Sequence, residues 1–429
     1  MVTRPRHSAA QPGVSVRRAV PGGGPRAGTL SALRHRNFRL YFTAQLVSNM
    51  GSWVQITVEN WLVLQLSHSG LALGVTNTLQ FGPSLVLGMH GGVVADRCDR
   101  RRVLMITQAC LGLFALAVGL LAGIGVVRVW IIWLAAAALG VVKSFDLPAL
   151  QGFVKDLVGP ADLPNAVAWT NMISATGRMV GPMVGGAVLT TCGVAPGFLI
   201  NAATFALVVA ALAQLRSGEL VPRSPVPRAA GQIRDGLVYV RREPVLAAIS
   251  IVMIVVFIAA YNFQISLALI ASDVLAGDSR IYGALMSALG VGAVVGSLLL
   301  ARHARTGLPI ILVWTCALAA AQIAVAAVHS LVPLLAAIFA YGVSAGLFSV
   351  SVISTLQVRT TEEMRGRVMA WYSICFMGSS PVGGPSFGLL AGWLGVAGAL
   401  RVEASICAAV ALATVIGWRA MRRVRPSPF

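Results

Sequence analysis

The chain has 429 residues, of which 57% are hydrophobic and only 11% charged, and its mean hydropathy is +0.81. Soluble domains carry about 25% charged residues, so this composition excludes water as the main solvent of the chain. A membrane-spanning helix needs about 20 mostly apolar residues, and such stretches recur from Arg39 to Arg419. Their lengths favour helices over the roughly 10-residue alternating strands of a membrane barrel. We therefore predict an all-α integral membrane protein with about twelve spans.

The net charge of +19 raises the question of a nucleic-acid partner, and the placement of the arginines answers it. They concentrate before the first predicted span, in every second joint and in the tail, within 4–36, 97–102, 216–242, 302–305, 359–367 and 422–425. The intervening joints carry little more than His68, Arg128, Arg280, His329 and Arg401. This positive-inside pattern predicts a multi-pass protein of the cell membrane with both termini in the cytoplasm, and it argues against nucleic-acid binding.

The predicted elements begin with a disordered basic arm on the cytoplasmic side, residues 1–30, which is rich in Arg, Pro and Gly. A first six-helix bundle is predicted within 31–215, a cytoplasmic linker at 216–243 and a second six-helix bundle within 244–420, before a cytoplasmic tail at 421–429. The linker should contain a short surface helix near 232–240. The predicted spans are 38–66, 70–95, 103–125, 129–153, 165–190, 197–215, 244–271, 280–301, 308–328, 332–355, 367–392 and 396–419.

The first span carries a polar stripe. At about 100° per residue, Gln45, Asn49, Ser52 and Glu59 fall within roughly 40° of one direction. Such a stripe is costly against lipid, so we expect it to line a central cavity, with Glu59 as the residue most able to carry a proton. The alternative is that Glu59 lies solvated at the outer mouth.

The joint between the second and third spans reads GGVVADRCDRRRV, residues 91–103. It resembles the loop motif of the major facilitator superfamily, G-x-x-x-D-R-x-G-R-R, with Gly92, Asp96, Arg97, Arg100 and Arg101 in register. An arginine cluster alone would serve only to orient the chain. The carboxylate among these arginines can instead pair across a helix interface and hold one conformation, so we interpret the loop as a gate.

The fourth span contains Lys143 and Asp146, and Asp146 lies about 17 residues, or about 26 Å, into the helix. The resemblance implies that an acid at this position joins the loop motif, which predicts an Asp96–Arg100–Asp146 gate. A proton site at Asp146 and a structural ion pair with Lys143 remain alternatives, because a lysine in an apolar helix needs a partner.

The fifth span contains Arg178 and then the run Gly181-Pro182-Met183-Val184-Gly185-Gly186. This run resembles the G-P-x-x-G-G motif of proton-coupled exporters, which implies a kinked pivot built from Gly181, Pro182, Gly185 and Gly186 and favours efflux. A plain abundance of Gly and Pro in membrane helices is the alternative. An arginine this deep in the bundle predicts an acidic partner or a wet cavity for Arg178.

The seventh span supplies a second polar cluster, Tyr261, Asn262 and Gln264. The two halves also look alike. A shift of 202 residues places Ala168 and Trp169 on Ala370 and Trp371, and it superposes the glycine pairs 181 and 383, 186 and 388, and 193 and 395. Two six-helix bundles related by such a parallel repeat resemble the major facilitator plan, with the substrate site between the halves near the midplane.

Three stretches, 52–74, 145–186 and 365–373, resemble one branch of that superfamily, the transmembrane secretion effector group. The helix near Ala136 is apolar where many drug–proton antiporters carry an arginine. Proton coupling is therefore inferred from Glu59, Lys143, Asp146 and Arg178.

The chain has no G-x-x-x-x-G-K-[ST] phosphate loop, and its six cysteines and six histidines lack metal-ligand spacing. The sequence thus predicts neither an enzyme nor a cofactor nor a metal. We predict a monomeric secondary transporter, a proton-coupled exporter of amphipathic small molecules such as drugs, natural products or siderophores. An importer or symporter of a metabolite and a non-transporting membrane receptor or assembly partner are the alternatives.

Overall fold

The structure, a computed structural model, describes residues 30–221, 232–303 and 306–424. Most of the predicted N-terminal arm, part of the linker and the end of the tail lie outside these ranges. Every regular element in the described part is helical. The main helices are α1 (Arg36–Ser67), α2 (Gly70–Arg97), α3 (Arg100–Gly123), α4 (Val129–Thr191), α5 (Val194–Ala213), α6 (Gln232–Arg242), α7 (Pro244–Ala260), α8 (Phe263–Leu269), α9 (Ser279–His303), α10 (Leu308–Ala327), α11 (Leu331–Arg359) and α12 (Glu362–Val424).

Two of these helices, α4 and α12, have 63 residues each, more than twice the number that one crossing needs, and each turns at a glycine. The backbone of Gly159 in α4 has φ +73°, and that of Gly395 in α12 has φ +71°. Because a residue with a Cβ is strained at such angles, glycine allows the chain to leave one helix and start another without a loop. Each long helix thus supplies two of the predicted spans, and the α7–α8 pair with the π-helical turn Ile270–Val274 supplies another.

Eight helical segments of the described chain are long and apolar enough to cross a membrane, counting each of the two kinked helices once. Helices α1 and α2 are not among them, although each has at least 28 residues. Helix α1 carries the polar stripe, which lowers its hydropathy. Its polar residues are buried by other helices, which is how a less apolar helix can still belong to a membrane bundle.

The same pairing of helices occurs in the two halves. In the first bundle, α1 to α5, helix α2 packs on the start of α4, and α3 packs on α5. In the second bundle, α7 to α12, helix α9 packs on α11, and α10 packs on α12. Gly193 and Gly395, superposed by the 202-residue shift, both have positive φ, +86° and +71°. The repeat found in the sequence therefore corresponds to a repeated helix arrangement.

The two bundles meet through glycines at the end of the molecule opposite the arginine-rich joints, which we call the distal end. A Cβ on Gly74 of α2 would lie 2.6 Å from Pro385 of α12, and one on Gly186 of α4 would lie 3.0 Å from Gly283 of α9. The Thr78 hydroxyl donates to the carbonyl of Pro381, one turn before Pro385, at 2.9 Å. Among the described residues, the hydrogen bonds and close glycine contacts between the bundles lie in this half, reaching inward to Leu85 and Gly378.

Candidate functional site

Arg100 is the centre of the arginine-rich loop. It begins α3, and the Asp99 side chain caps that helix by accepting from the Arg101 amide at 2.9 Å. The Arg100 guanidinium donates to Asp156 at 2.9 and 3.1 Å, to Asp96 at 3.3 Å and to the carbonyl of Gly152 at 3.2 Å. One side chain therefore joins the end of α2, the start of α3 and the first part of α4.

The acid that completes this network differs from the predicted one. Asp146 does not bind Arg100: it accepts hydrogen bonds from Thr107 at 2.5 Å and Gln108 at 3.0 Å, both on α3. Asp156 takes the predicted place because it lies ten residues, or about 15 Å, further along α4 toward the loop. The predicted contact of Arg100 with Asp146 is therefore wrong, the network that the structure shows is Asp96–Arg100–Asp156, and its role as a gate stays a prediction.

Other members of the loop have different contacts. Arg101 donates to the last carbonyls of α5, Leu212 at 2.7 Å and Ala213 at 2.9 Å, where a cation also suits the helix dipole. Arg97 is exposed in the last turn of α2, and Gly92 is buried. It is the preceding Gly91 whose missing side chain admits the backbone carbonyl of Ser144 from α4.

Lys143 and Asp146 belong to a second, deeper cluster in the first bundle. Lys143 interacts electrostatically with Glu59 of α1 and with Asp146, its neighbour one turn along α4. Glu59 is 4% exposed and Asp146 is 6% exposed. Lys143 is half-buried and belongs to none of the described ion pairs. We call these three ionisable side chains the buried charge row. A cation near buried carboxylates offsets part of their desolvation cost.

An amide network continues the row into α5. Gln55 lies one turn before Glu59 on α1, and its Oε1 accepts from Asn201 at 2.6 Å. Asn201 in turn accepts from Thr204 at 3.0 Å. Since these groups are buried, the network fixes how α1 and α5 sit around Glu59.

The lining of one central cavity by the polar stripe of α1 stays a prediction. Asn49 points at Gly177 of α4, where a Cβ would overlap its Oδ1. Gln45 and Asn49 each have a buried side-chain oxygen without a hydrogen-bond partner among the described residues. Ser52 is half-buried, and Glu59 lies in the charge row rather than solvated at a mouth.

The glycines of the GPMVGG run are contact points. Gly181 packs on Trp53 and Gly185 on Val54 of α1, whereas Gly186 faces the second bundle. Within α4 the described non-helical dihedrals occur at Gly159 and not in this run, so the helix continues through Pro182. The side chains of Pro182 and Arg178 lie outside the described residues, and the pivot and the partner of Arg178 stay predictions.

In the second bundle, the predicted polar cluster lies at a break in the helix. Tyr261 and Asn262 are non-helical and separate α7 from α8. Tyr261 donates to the carbonyl of Ala345 at 2.7 Å, and Asn262 donates to the carbonyl of Ile258 at 2.5 Å. Gln264 is half-buried, and its carbonyl accepts from the Tyr282 hydroxyl at 3.3 Å. Asn262 therefore satisfies a carbonyl in the last turn of α7, and Tyr261 links the break to α11.

Aromatic rings surround the break. Tyr261 has its ring centroid 4.8 Å from that of Phe257 and 6.1 Å from that of Phe376, and Tyr372 stacks on Phe376 at 6.3 Å. Phe257 is buried, whereas Tyr261 and Tyr372 are half-buried and Phe376 is 36% exposed. The second bundle thus offers an aromatic wall, while the first bundle supplies buried charge.

The family model described as transmembrane secretion effector matches residues 27–425. The chain belongs to this family. Its resemblance to the major facilitator superfamily is confirmed, and the protein is a multi-pass membrane transporter of small molecules rather than an enzyme.

Similar proteins agree with this assignment. The enterobactin exporter of Escherichia coli O1:K1 / APEC is 26% identical over 359 residues, which cover 79% of this chain and 82% of that protein. The staphyloferrin A transporter of Staphylococcus aureus is 23% identical, covering 61% of this chain and 66% of that protein. The crystal structure of the nucleoside transporter NupG matches with a TM-score of 0.70 at 12% identity over 89% of this chain and 98% of that chain, a likeness of fold alone.

Sequence reasoning missed three features of this transporter. Asp156 was assigned to a joint because the fourth span was ended too early. Glu403, buried in α12, was overlooked between apolar neighbours. The glycine contacts between the bundles had a visible signal, since 70 and 74 in α2 and 384 and 388 in α12 each have the small-xxx-small spacing of close helix pairs.

Proposed function

We propose that this transporter is a proton-coupled exporter of amphipathic small molecules, working by alternating access with both termini in the cytoplasm. The buried charge row is the observation that carries the proposal. Glu59 lies about 12 Å from the distal end of α1, and Asp146 lies about 26 Å from the distal end of α4, so the row spans the middle of the first bundle. A proton that binds there changes the charge balance around Lys143.

The contact pattern between the bundles supports the alternating-access part. The described contacts between the bundles begin at the distal end and extend as far as the middle. Cargo would therefore enter from the arginine end. With the positive-inside pattern, that end is cytoplasmic. Opening toward the other side requires the Gly74–Pro385 and Gly186–Gly283 contacts to separate. The Arg100 network would keep α2, α3 and α4 together at the arginine end during this step.

The chemistry of the walls supports an amphipathic cargo. The half-buried aromatic rings Tyr261, Tyr372 and Phe376 offer faces for stacking on an apolar or aromatic group. The polar oxygens of Gln45 and Asn49 can accept hydrogen bonds. The names of the enterobactin and staphyloferrin A relatives suggest siderophores as one class to test.

The first experiment measures accumulation in a bacterial strain that lacks its own efflux pumps. Cells with and without this chain are given ethidium, enterobactin or staphyloferrin A. Export predicts lower accumulation of at least one probe, with the difference lost when an uncoupler removes the proton gradient. Higher accumulation would instead favour the importer. Unchanged accumulation of a broad probe set would favour a receptor or assembly partner, and that reading also predicts that Glu59→Gln keeps the cellular role.

A further inference from the structure

Glu403 is a buried acid that the charge row does not use. It lies on α12 beyond the kink at Gly395, is 5% exposed, and is absent from the described ion pairs. An ionised carboxylate buried without a cation costs several kcal/mol, and an acid kept at such a position in a membrane protein is a functional candidate by default.

Glu403 contacts Gln322 of α10. The Gln322 Nε2 lies 3.5 Å from Glu403 Oε2, and the same nitrogen donates to the carbonyl of Ala259 at 3.1 Å. Gln322 is fully buried, and its other polar atom, Oε1, has no hydrogen-bond partner among the described residues. Its amide is therefore shared between an acid on one side and a helix backbone on the other.

That backbone is the break between α7 and α8. The helix stops at Ala260, so the carbonyls of Ala259 and Ala260 need other donors. Gln322 supplies one, and the Tyr341 hydroxyl supplies the other by donating to Ala260 at 2.5 Å. Broken helices are tolerated in a bilayer only where such groups satisfy the freed backbone. Gln322 thus holds the break that positions Tyr261, and its two N–H groups can serve Ala259 and Glu403 at once, the Glu403 contact being the longer.

A small cavity lies between this place and the distal surface. It has a volume of about 20 Å³, room for one water molecule, and is bordered by His329, Val396 and Leu400 among others. Leu400 lies one turn before Glu403, and Val325, also on the cavity wall, lies one turn after Gln322. His329 is exposed at the distal end, so the wall of the cavity separates the acid from that surface by about one helical turn.

We propose that Glu403 is a proton-binding site of the second bundle and that Gln322 couples it to the break between α7 and α8. When the carboxyl loses its proton to water that enters from the distal surface, the carboxylate draws the Gln322 nitrogen toward itself, the hydrogen bond of that nitrogen to Ala259 lengthens, and the break loosens. The step transfers one proton and breaks no other covalent bond. This inference rests on the proposed function in one respect, namely that the proton bound at Glu403 takes part in transport.

The ionisable groups around Glu403 are few. Tyr341 faces it from α11 and Cys407 from one turn along α12, and Tyr261 of the break adjoins Tyr341. Arg401 and His329 are exposed at the distal surface. The charged residues of α6 precede α7, about 25 Å along that helix from the break.

The test uses the purified full chain in detergent without cargo. Infrared spectra are recorded as the pH is raised, for the wild type and for Glu403→Gln, which keeps size and polarity but cannot ionise. The wild type should lose a carboxylic-acid C=O band that the variant never shows. Backbone amide exchange at 258–263, corrected for its intrinsic pH dependence, should accelerate several-fold in the wild type over the same pH range and remain constant in the variant.

Two further variants keep the proposal falsifiable. Gln322→Leu should retain the titrating band but lose the pH dependence of exchange. If Glu403→Gln does not fold, Glu403→Asp should shift the band and give slow exchange at every pH, because the shorter acid cannot reach Gln322. Identical bands in the wild type and the Glu403 variants would overturn the proton site, and unchanged pH-dependent exchange in Glu403→Gln would overturn the coupling. Failure of cargo transport would contradict the proposed function and leave these results intact.

Discussion

Gly74 of α2 meets the backbone of Pro385 in α12 so closely that a Cβ on Gly74 would lie 2.6 Å from both the nitrogen and the α-carbon of Pro385. Backbone cannot yield as a flexible side chain does, so any side chain here must push the bundles apart. Gly186 of α4 meets the backbone of Gly283 in α9 in the same way. The closed distal end should therefore be sensitive to single added methyl groups.

The first prediction follows from this contact. Gly74→Ala should destabilise the distally closed state by about 1 to 3 kcal/mol, because overpacking forces the helices to shift. In a cysteine-free background, spin labels at 71 and 393 should show an added population at longer distance. Gly82→Ala is the matched control on the same helix, since its Cβ would meet only Thr78 at 3.9 Å. Equal distance distributions in the two variants would contradict the closure.

The second prediction concerns the Arg100–Asp156 pair. Both side chains are mostly buried, 17% and 11% exposed, so Arg100→Ala or Asp156→Ala should each cost roughly 3 kcal/mol by removing one partner of a mostly buried ion pair. The double variant should cost little more than either single one. The stabilities are compared by thermal unfolding in detergent, which is monitored through the reaction of a thiol reagent with the buried Cys375 and Cys407.

The control for this pair is Arg102→Ala. Arg102 lies 3.9 Å from Asp99 with both side chains exposed, so its loss should change the stability by no more than about 0.5 kcal/mol. If Asp146→Ala, rather than Asp156→Ala, proved non-additive with Arg100→Ala, the original Asp146 gate would be right and the corrected network wrong.

The third prediction concerns the charge row. Lys143→Met should lower the melting temperature and the folded yield, because it leaves Glu59 and Asp146 buried without their cation. Adding Asp146→Leu should restore much of the loss by removing one of those acids. Lys155→Met removes the chain's other lysine, which is exposed, and should behave like the wild type. A double variant less stable than Lys143→Met would refute the row as a charge-compensated unit.

The fourth prediction tests the orientation with cysteines already present. Cys98 is exposed beside the arginine loop, and Cys192 is exposed at the distal end. In right-side-out membrane vesicles, a membrane-impermeant maleimide should label Cys192 at once and Cys98 only after permeabilisation. Cys192→Ser should remove the early label. Early labelling of Cys98 would place the arginine end outside and reverse the proposed topology.

Much of the fold could be predicted because its determinants are periodic or local. Arginines mark alternate joints, and glycines repeated at 193 and 395 mark turns that need positive φ. The site was harder. Choosing Asp156 over Asp146 required knowing where α4 ends, and a helix that turns at Gly159 without a loop conceals that end.

The polar stripe shows a related limit. Periodicity gives a residue's direction around its own helix but not the neighbour it meets. Asn49 faces Gly177 of α4, while Gln55 on the same helix reaches α5 through Asn201. The break at Tyr261 depends on donors from α10 and α11, which local sequence does not reveal.

The most direct test of proton-coupled export uses inverted membrane vesicles with a preacidified lumen. The probe is one whose accumulation this chain lowers in the cellular assay. When it is added, the wild type should alkalinise the lumen, because cargo enters and protons leave. Glu59→Gln should abolish this response, while Glu219→Gln, the same change at an exposed pair with Arg216, should retain it. Acidification on adding the probe, or an undiminished response in Glu59→Gln, would contradict the account.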